Sequence, residues 1–182
     1  MKKLLRKYLS AALILLFIIA WALVLILIPP STIVAAVGPG NTYLVGFIVA
    51  LVAGFSAITG TTAYATIIEF ARGGADPLLL GAISGIGLFI SDAAFYALAL
   101  RGRRVVSRKW KKPFAVVRRI MDRIPDAAVY VGVFAFAAFG PIPNDVLLVA
   151  LIVGDYEFKR FWPFLLAGDL TFMLFLSYIF QP

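Results

Sequence analysis

Four acidic residues stand in strongly apolar stretches of the sequence: Glu69, Asp92, Asp145 and Asp169. A carboxylate at the centre of a bilayer costs about 2.5–3.5 kcal/mol on insertion scales, so an acid found there is a candidate functional group. No Lys or Arg lies within the apolar spans that hold these acids. Because burial without a cationic partner favours the neutral carboxyl, we expect these side chains to bind protons near neutral pH and to serve in substrate binding.

Each acid also has a purely structural explanation. Glu69 precedes Arg72 by three residues, a spacing that permits an ion pair on one helix. Asp145 and Asn144 follow a proline-rich break and are able to cap the helix that begins there. The remaining two acids need only a buried hydrogen bond from a neighbouring hydroxyl, Ser91 for Asp92 or Thr171 for Asp169, to fix helix packing. The sequence leaves the functional and structural explanations open.

The residue types of the chain give little support to an enzymatic function. The chain has no Cys and no His, which removes thiolate nucleophiles, the commonest general base and the usual zinc ligands. An aspartyl pair from Asp92 and Asp169 is chemically conceivable, but neither acid stands in the GxGD motif of intramembrane aspartyl proteases. The sequence therefore predicts no enzyme, no metal site and no cofactor.

The amino-acid composition indicates whether water or lipid surrounds the protein. The chain has 182 residues, of which 63% are hydrophobic and 14% charged, and a mean hydropathy of +1.00. Globular domains are about 45–50% apolar and about 25% charged. A chain of this length cannot bury so much apolar surface in one core. We therefore expect an all-α, polytopic integral membrane protein.

Two segments outside the predicted repeats set the expected orientation. Residues 1–30 combine a basic start with an apolar run, Leu9–Ile28, of about the 20 residues that cross a bilayer. A signal peptide is the rival interpretation, but the run is long and lacks a small-residue cleavage site. Residues 101–125 hold ten of the seventeen basic residues, so this segment and the N-terminus are predicted to be cytoplasmic. The pattern of residues 101–125 predicts an amphipathic helix that contacts anionic lipid headgroups through Arg118, Arg119 and Arg123.

The rest of the chain reads as two similar units. Repeat 1 covers residues 43–100, with a helical hairpin at 43–72 and a crossing at 77–100. Repeat 2 covers residues 127–180, with a hairpin at 127–154 and a crossing at 161–180. An offset of 80 residues pairs Gly60 with Gly140 and Gly74 with Gly154. One full crossing in each unit makes the second unit inverted, with both hairpins re-entrant, as in many secondary transporters.

The predicted hairpin tips carry polar and helix-breaking residues. The first tip is "SAITGTT", and the second is "FGPIPND". Proline lacks an N–H group and interrupts a helix. A returning helix that starts near the membrane midplane presents free N–H groups to an anion. The residues expected to form the two tips and their helix N-termini are Gly60, Thr61, Thr62, Gly140, Pro141, Pro143, Asn144 and Asp145.

Two stretches resemble a known family. "GPIPNDVLLVALIVGDYEFKRFWPFLLAGD" and "LLLGAISGIGLFISDAAFYALALRGRR" are similar to the DedA family, also called the VTT or SNARE-associated membrane family. The resemblance extends over roughly Phe47 to Leu170. It implies movement of lipid across the bilayer, by proton-coupled import of polyprenyl-phosphate carriers or by phospholipid scrambling. Two features depart from the family pattern: the second tip lacks arginines, and the first reads "GTTAY" in place of a proline–acid pair.

The sequence thus predicts a transporter or scramblase of an anionic lipid in the cell membrane. Membrane lipids and protons are the expected partners, nucleic acid is not, and homo-oligomers are left open. The alternatives are a proton-coupled exporter of small cationic compounds and a structural membrane protein that transports nothing.

Overall fold

The computed structural model describes residues 30–53, 57–106, 119, 121, 123–140 and 144–181. These residues form α-helices joined by short turns and contain no β-strand, so the predicted all-α class is confirmed. The predicted anchor helix lies outside the described residues, except for Pro30. Most of the predicted basic segment, including Arg118, lies outside them as well.

Seven helices occur in the described part of the chain. They are α1 (Pro30–Val37), α2 (Pro39–Ala53), α3 (Ala57–Arg72), α4 (Pro77–Val106), α5 (Asp126–Phe139), α6 (Asn144–Val153) and α7 (Phe158–Ile179). Proline is the first residue of α1, α2 and α4, where its missing N–H has no helical partner to lose. The sequence had assigned no element to most of α1.

The long helix α4 is the centre of the arrangement. It packs against α7 along one side and against α2 along another, and α6 also contacts it. Helix α7 packs against α5. Helices α2 and α3 are antiparallel, because a Cβ built on Gly46 would meet Ile67, and one on Gly60 would meet Ala53 near the opposite end of the pair.

Small residues let α4 approach its neighbours closely. A Cβ at Gly81 would lie 2.7 Å from the Cα of Leu174 on α7, and one at Gly87 would lie 2.6 Å from the carbonyl oxygen of Phe47 on α2. Such contacts are typical of helices packed in membranes, where small residues let backbones meet. These glycines serve packing, as the sequence had indicated.

The first hairpin turns earlier than predicted. Helix α2 ends at Ala53 and α3 begins at Ala57, so the break between the two helices lies before Gly60. Gly60 lies inside α3, and the prediction that it forms the tip is wrong. A Cβ at Gly60 would lie 3.4 Å from the carbonyl oxygen of Ala53, so this position supports close packing beside the turn. Thr61 and Thr62 consequently lie in the second turn of α3 and do not begin it.

The second break lies between α5 and α6. Helix α5 ends at Phe139, and the N–H of Gly140 donates to the carbonyl oxygen of Phe136 at 2.7 Å. Gly140 has an extended backbone, which turns the chain out of the helix. Helix α6 begins at Asn144. The predicted tip residues Pro141 and Pro143 lie outside the described residues.

Helices α3 and α6 end in the same Schellman motif, a left-handed residue followed by a hydrogen bond back into the helix. The left-handed residues are Gly74, with φ 91°, and Asp155, with φ 62°. The backbone hydrogen bonds join Ala75 to Phe70 at 3.1 Å and Tyr156 to Leu151 at 3.0 Å. The left-handed residue of the second motif, Asp155, thus lies one residue after Gly154, which the sequence had paired with Gly74.

Among the described helices, two are long and apolar enough to cross a membrane, Pro77–Leu100 within α4 and Phe158–Ile179. The second begins three residues before its predicted start at Phe161, because the chain leaves its turn at Glu157. Only 44% and 28% of their apolar windows are buried inside the protein. Helices in the core of a soluble protein are mostly buried, so this exposure indicates membrane association.

Candidate functional site

Asp92 and Asp169 meet in the interior of the protein. Asp92 lies on α4 and Asp169 on α7, and both residues are 0% exposed. Asn144, the first residue of α6, bridges them through one amide nitrogen. Its Nδ2 donates to Oδ2 of Asp92 at 2.7 Å and to Oδ1 of Asp169 at 3.0 Å. Because both carboxylate oxygens accept from the same nitrogen, the carboxyl groups of Asp92 and Asp169 lie close together.

Close helix packing brings the two acids together. Gly85, seven residues before Asp92, faces α7: a Cβ on it would lie 2.9 Å from the Cα of Leu170 and 3.2 Å from the carbonyl oxygen of Asp169. Gly168 of α7 faces α5 in the same way: a Cβ on Gly168 would lie 3.0 Å from the carbonyl oxygen of Phe134. Side chains at these glycines would push α4, α5 and α7 apart.

The electrostatic state of the pair follows from what surrounds it. Neither acid forms an ion pair with a basic group among the described residues. Oδ1 of Asp92 and Oδ2 of Asp169 are buried there without a hydrogen-bond partner. Two ionised carboxylates this close repel one another strongly in a medium of low dielectric constant. A proton or another cation relieves that repulsion, so the arrangement is suited to cation or proton binding.

The predicted hydroxyl partners of these acids are wrong. The Thr171 hydroxyl donates to the carbonyl oxygen of Ala167 at 2.7 Å. The Ser91 hydroxyl is buried without a partner in the described part of the chain. Asn144 takes their place because the N-terminus of α6 directs its amide between α4 and α7. Its bond to Asp92 joins residues 52 positions apart, a separation that local sequence patterns do not reveal.

The other predicted acids lie in different settings. Asp145 is half-buried beside Asn144 and interacts electrostatically with Asp92. It therefore belongs to the rim of the buried pair. Glu69 forms an ion pair with Arg72 at 3.1 Å, which is the structural explanation that the spacing offered.

The remaining predicted site residues lie on the surface or at partly buried positions. Thr61 is exposed, and Thr62 is half-buried, with its carbonyl oxygen accepting from Thr66 at 2.9 Å. Arg119 and Arg123 are exposed, as a contact with lipid headgroups requires.

Tyr64 is a neighbour of the pair that sequence reasoning missed. Its phenol interacts electrostatically with the carboxyls of Asp92, Asp169 and Asp145. Its ring packs edge-on against Phe172 of α7, with centroids 5.0 Å apart. The sequence carried one weak signal, a tyrosine within the apolar returning arm of the first hairpin.

The described residues contain no group of three or more His, Cys, Asp or Glu side chains placed to hold a metal ion. Comparisons with protein-family models, curated proteins and solved structures found no match to this chain. The geometry of the carboxyl pair is therefore the feature of this chain from which a function can be inferred.

Proposed function

We propose that this protein is a proton-coupled membrane transporter in which Asp92 and Asp169 bind the coupling proton. The observation that carries the proposal is the buried carboxyl pair bridged by Asn144. The pair has no ion-pair partner among the described residues, and one oxygen of each carboxyl is unsatisfied. Ionisable residues inside membrane helices commonly mark proton relays and substrate pathways.

The membrane architecture is part of the same proposal. Helices α4 and α7 cross the bilayer fully, and the α2–α3 and α5–α6 pairs are re-entrant hairpins of two inverted repeats. The repeated Schellman motif before each crossing supports this scheme. So does an outer surface rich in large apolar side chains, including Leu78, Ile86 and Phe175. The positive-inside rule then gives a multi-pass protein of the cell membrane with a cytoplasmic N-terminus.

Proton binding would change the strength of the contacts that Asn144 makes. Hydrogen bonds to an ionised carboxylate are about twice as strong as those to a neutral group. Protonation of either acid weakens one of the two amide bonds and loosens α6 from α4 or α7. Proton occupancy is thereby linked to the position of the second hairpin, which is the two-state element that alternating access requires.

The substrate that we propose is an anionic lipid. The resemblance to the DedA family implies lipid movement, and the N-terminus of α6 offers N–H groups to a phosphate. Asp145 opposes anion binding while it is ionised, so protonation of Asp145 and phosphate binding would favour each other. This relation makes lipid and proton move in one coupled cycle.

Export of a small cationic compound is the second candidate. The observation that favours it is the group of three acids, Asp92, Asp145 and Asp169, which interacts with no basic side chain in the described structure. A cation entering between α4 and α7 would replace the proton that neutralises the pair. Proton–cation antiport follows from that exchange.

Reconstituted proteoliposomes distinguish the candidates. One arm follows a fluorescent anionic phospholipid across the bilayer, with and without a pH gradient, and the other follows a cationic dye. We expect gradient-dependent movement of the lipid and none of the dye. Dye movement alone would replace the lipid proposal by the cationic one. If neither substrate moves, the alternative that remains is a structural membrane protein that transports nothing.

A further inference from the structure

The carboxyl pair lacks hydrogen-bond donors. An ionised carboxylate has about four acceptor sites, whereas the amide of Asn144 has two N–H groups and gives one to each acid. Oδ1 of Asp92 and Oδ2 of Asp169 remain buried without a donor in the described residues. Leaving such an oxygen unsatisfied destabilises the folded protein, and more so when the oxygen is charged. The ionised state of the pair therefore requires another donor.

The first hairpin holds a donor close to this pair. Tyr64 is half-buried on α3, and its phenol interacts electrostatically with both acids of the pair. Phe172, three residues after Asp169, packs edge-on against its ring, with centroids 5.0 Å apart. Gly60 lies one turn earlier on α3, where an added Cβ would be in ordinary van der Waals contact with the ring at 3.7 Å.

We propose that Tyr64 is a positioning residue for the carboxyl pair, its hydroxyl donating to the ionised pair through one water. The proposal rests on the proposed proton-coupled function. Each hairpin then contributes one uncharged donor to the acids of the crossing helices, Asn144 from the second and Tyr64 from the first. Loss of a proton tightens both hairpins onto α4 and α7, and uptake of a proton releases both.

No basic group competes with this tyrosine in the described structure. Asp145 of α6 interacts electrostatically with Asp92, and both acids of the pair interact electrostatically with Tyr64 of α3. Helix α2 has no charged residue, and the charged residue of α5, Asp126, is exposed at its first position. Donation from a neutral phenol is thus the means by which the first hairpin can stabilise the ionised acids.

The test is infrared difference spectroscopy of the purified full-length chain in lipid nanodiscs, between acid and alkaline pH. The carbonyl-stretch band of protonated carboxyl groups is recorded for the wild type and assigned with Asp92→Asn and Asp169→Asn. Tyr64→Phe keeps the ring and removes only the hydroxyl. Tyr178→Phe, at an exposed position near the end of α7, is the matched control.

We expect the assigned band to change frequency in Tyr64→Phe and to titrate at higher pH, because the ionised form has lost a donor. The expected shift is about one pH unit, a tenfold rise in proton affinity. Tyr178→Phe should match the wild type. An assigned band that keeps its frequency and midpoint in Tyr64→Phe would overturn the role of Tyr64 and leave the proposed function standing. A wild type with no titrating band at all would overturn both.

Discussion

The amide nitrogen of Asn144 lies 2.7 Å from Oδ2 of Asp92, although 52 residues separate them in the chain. The same nitrogen reaches Asp169, so one neutral side chain holds α6 against both long helices. The packing of α6 against both long helices therefore depends on the hydrogen bonds of one neutral side chain.

Asn144→Ala removes the bridge and leaves two more buried oxygens without a donor. We expect the free energy of unfolding to fall by about 1–3 kcal/mol. Thermal unfolding in detergent, followed by circular dichroism, measures the change. Asn41→Ala is the control, because Asn41 is exposed on α2 and should tolerate the same change. Equal melting temperatures for the two variants would show that the bridge contributes nothing.

Asn144→Asp adds a third carboxyl to the pair and should make stability depend on pH. The folded state then binds a proton more tightly than the unfolded state does, so the added stability is present at low pH and is lost as the pH rises. We expect the melting temperature, relative to wild type, to fall between about pH 5 and about pH 8. Asn41→Asp should show a much smaller dependence. A flat profile for Asn144→Asp would contradict the described geometry.

The sequence revealed the acids more clearly than their partners. Asp92 and Asp169 could be singled out because a carboxyl in an apolar run is a local feature. Asn144 could be recognised only as a cap, since its bond to Asp92 depends on how α6 packs against α4. Tyr64 was not predicted as a site residue for the same reason. Its neighbours at the site come from α4, α6 and α7, and no local pattern on α3 indicates them.

The register of the proposed repeats also required the structure. Glycine is the usual left-handed residue at a helix end, so Gly74 and Gly154 seemed natural equivalents. After α6 it is Asp155 that adopts this conformation, with φ 62°, one residue later than the sequence pairing suggested. The first turn was misplaced because Gly60 indicated a helix break. Glycine also permits close helix packing, and single-sequence reasoning cannot separate these two uses.

Gly81→Ala tests the contact between α4 and α7. The added methyl would lie 2.7 Å from the Cα of Leu174, which can only be relieved by moving the backbone. Overpacking of this kind costs about 1–3 kcal/mol. Gly132→Ala on α5 meets no atom within 4 Å and should gain up to about 1 kcal/mol from helix propensity. Thermal unfolding of both variants gives the comparison, and a neutral Gly81→Ala would refute the close approach.

Single cysteines test the inverted topology, and the absence of native Cys makes them specific. Arg72 and Glu157 are exposed and lie beside the two equivalent turns. We expect an impermeant maleimide to label Arg72→Cys from outside the cell and Glu157→Cys only from the cytoplasmic side. Labelling of both positions from the same side would refute the inverted repeats, whatever the protein transports.

The pH dependence of lipid movement in proteoliposomes tests the central claim most directly. Wild type is compared with Asp92→Asn and Asp169→Asn, and with Asp76→Asn as the control. Asp76 is exposed, and its carboxylate accepts from the Leu79 N–H at 2.8 Å as a helix cap, a role that Asn fulfils equally well. The account predicts that a pH gradient drives transport in wild type and Asp76→Asn, and has no effect in the two site variants. Unchanged gradient-driven transport in both site variants would contradict the assignment of Asp92 and Asp169 as the proton-binding pair.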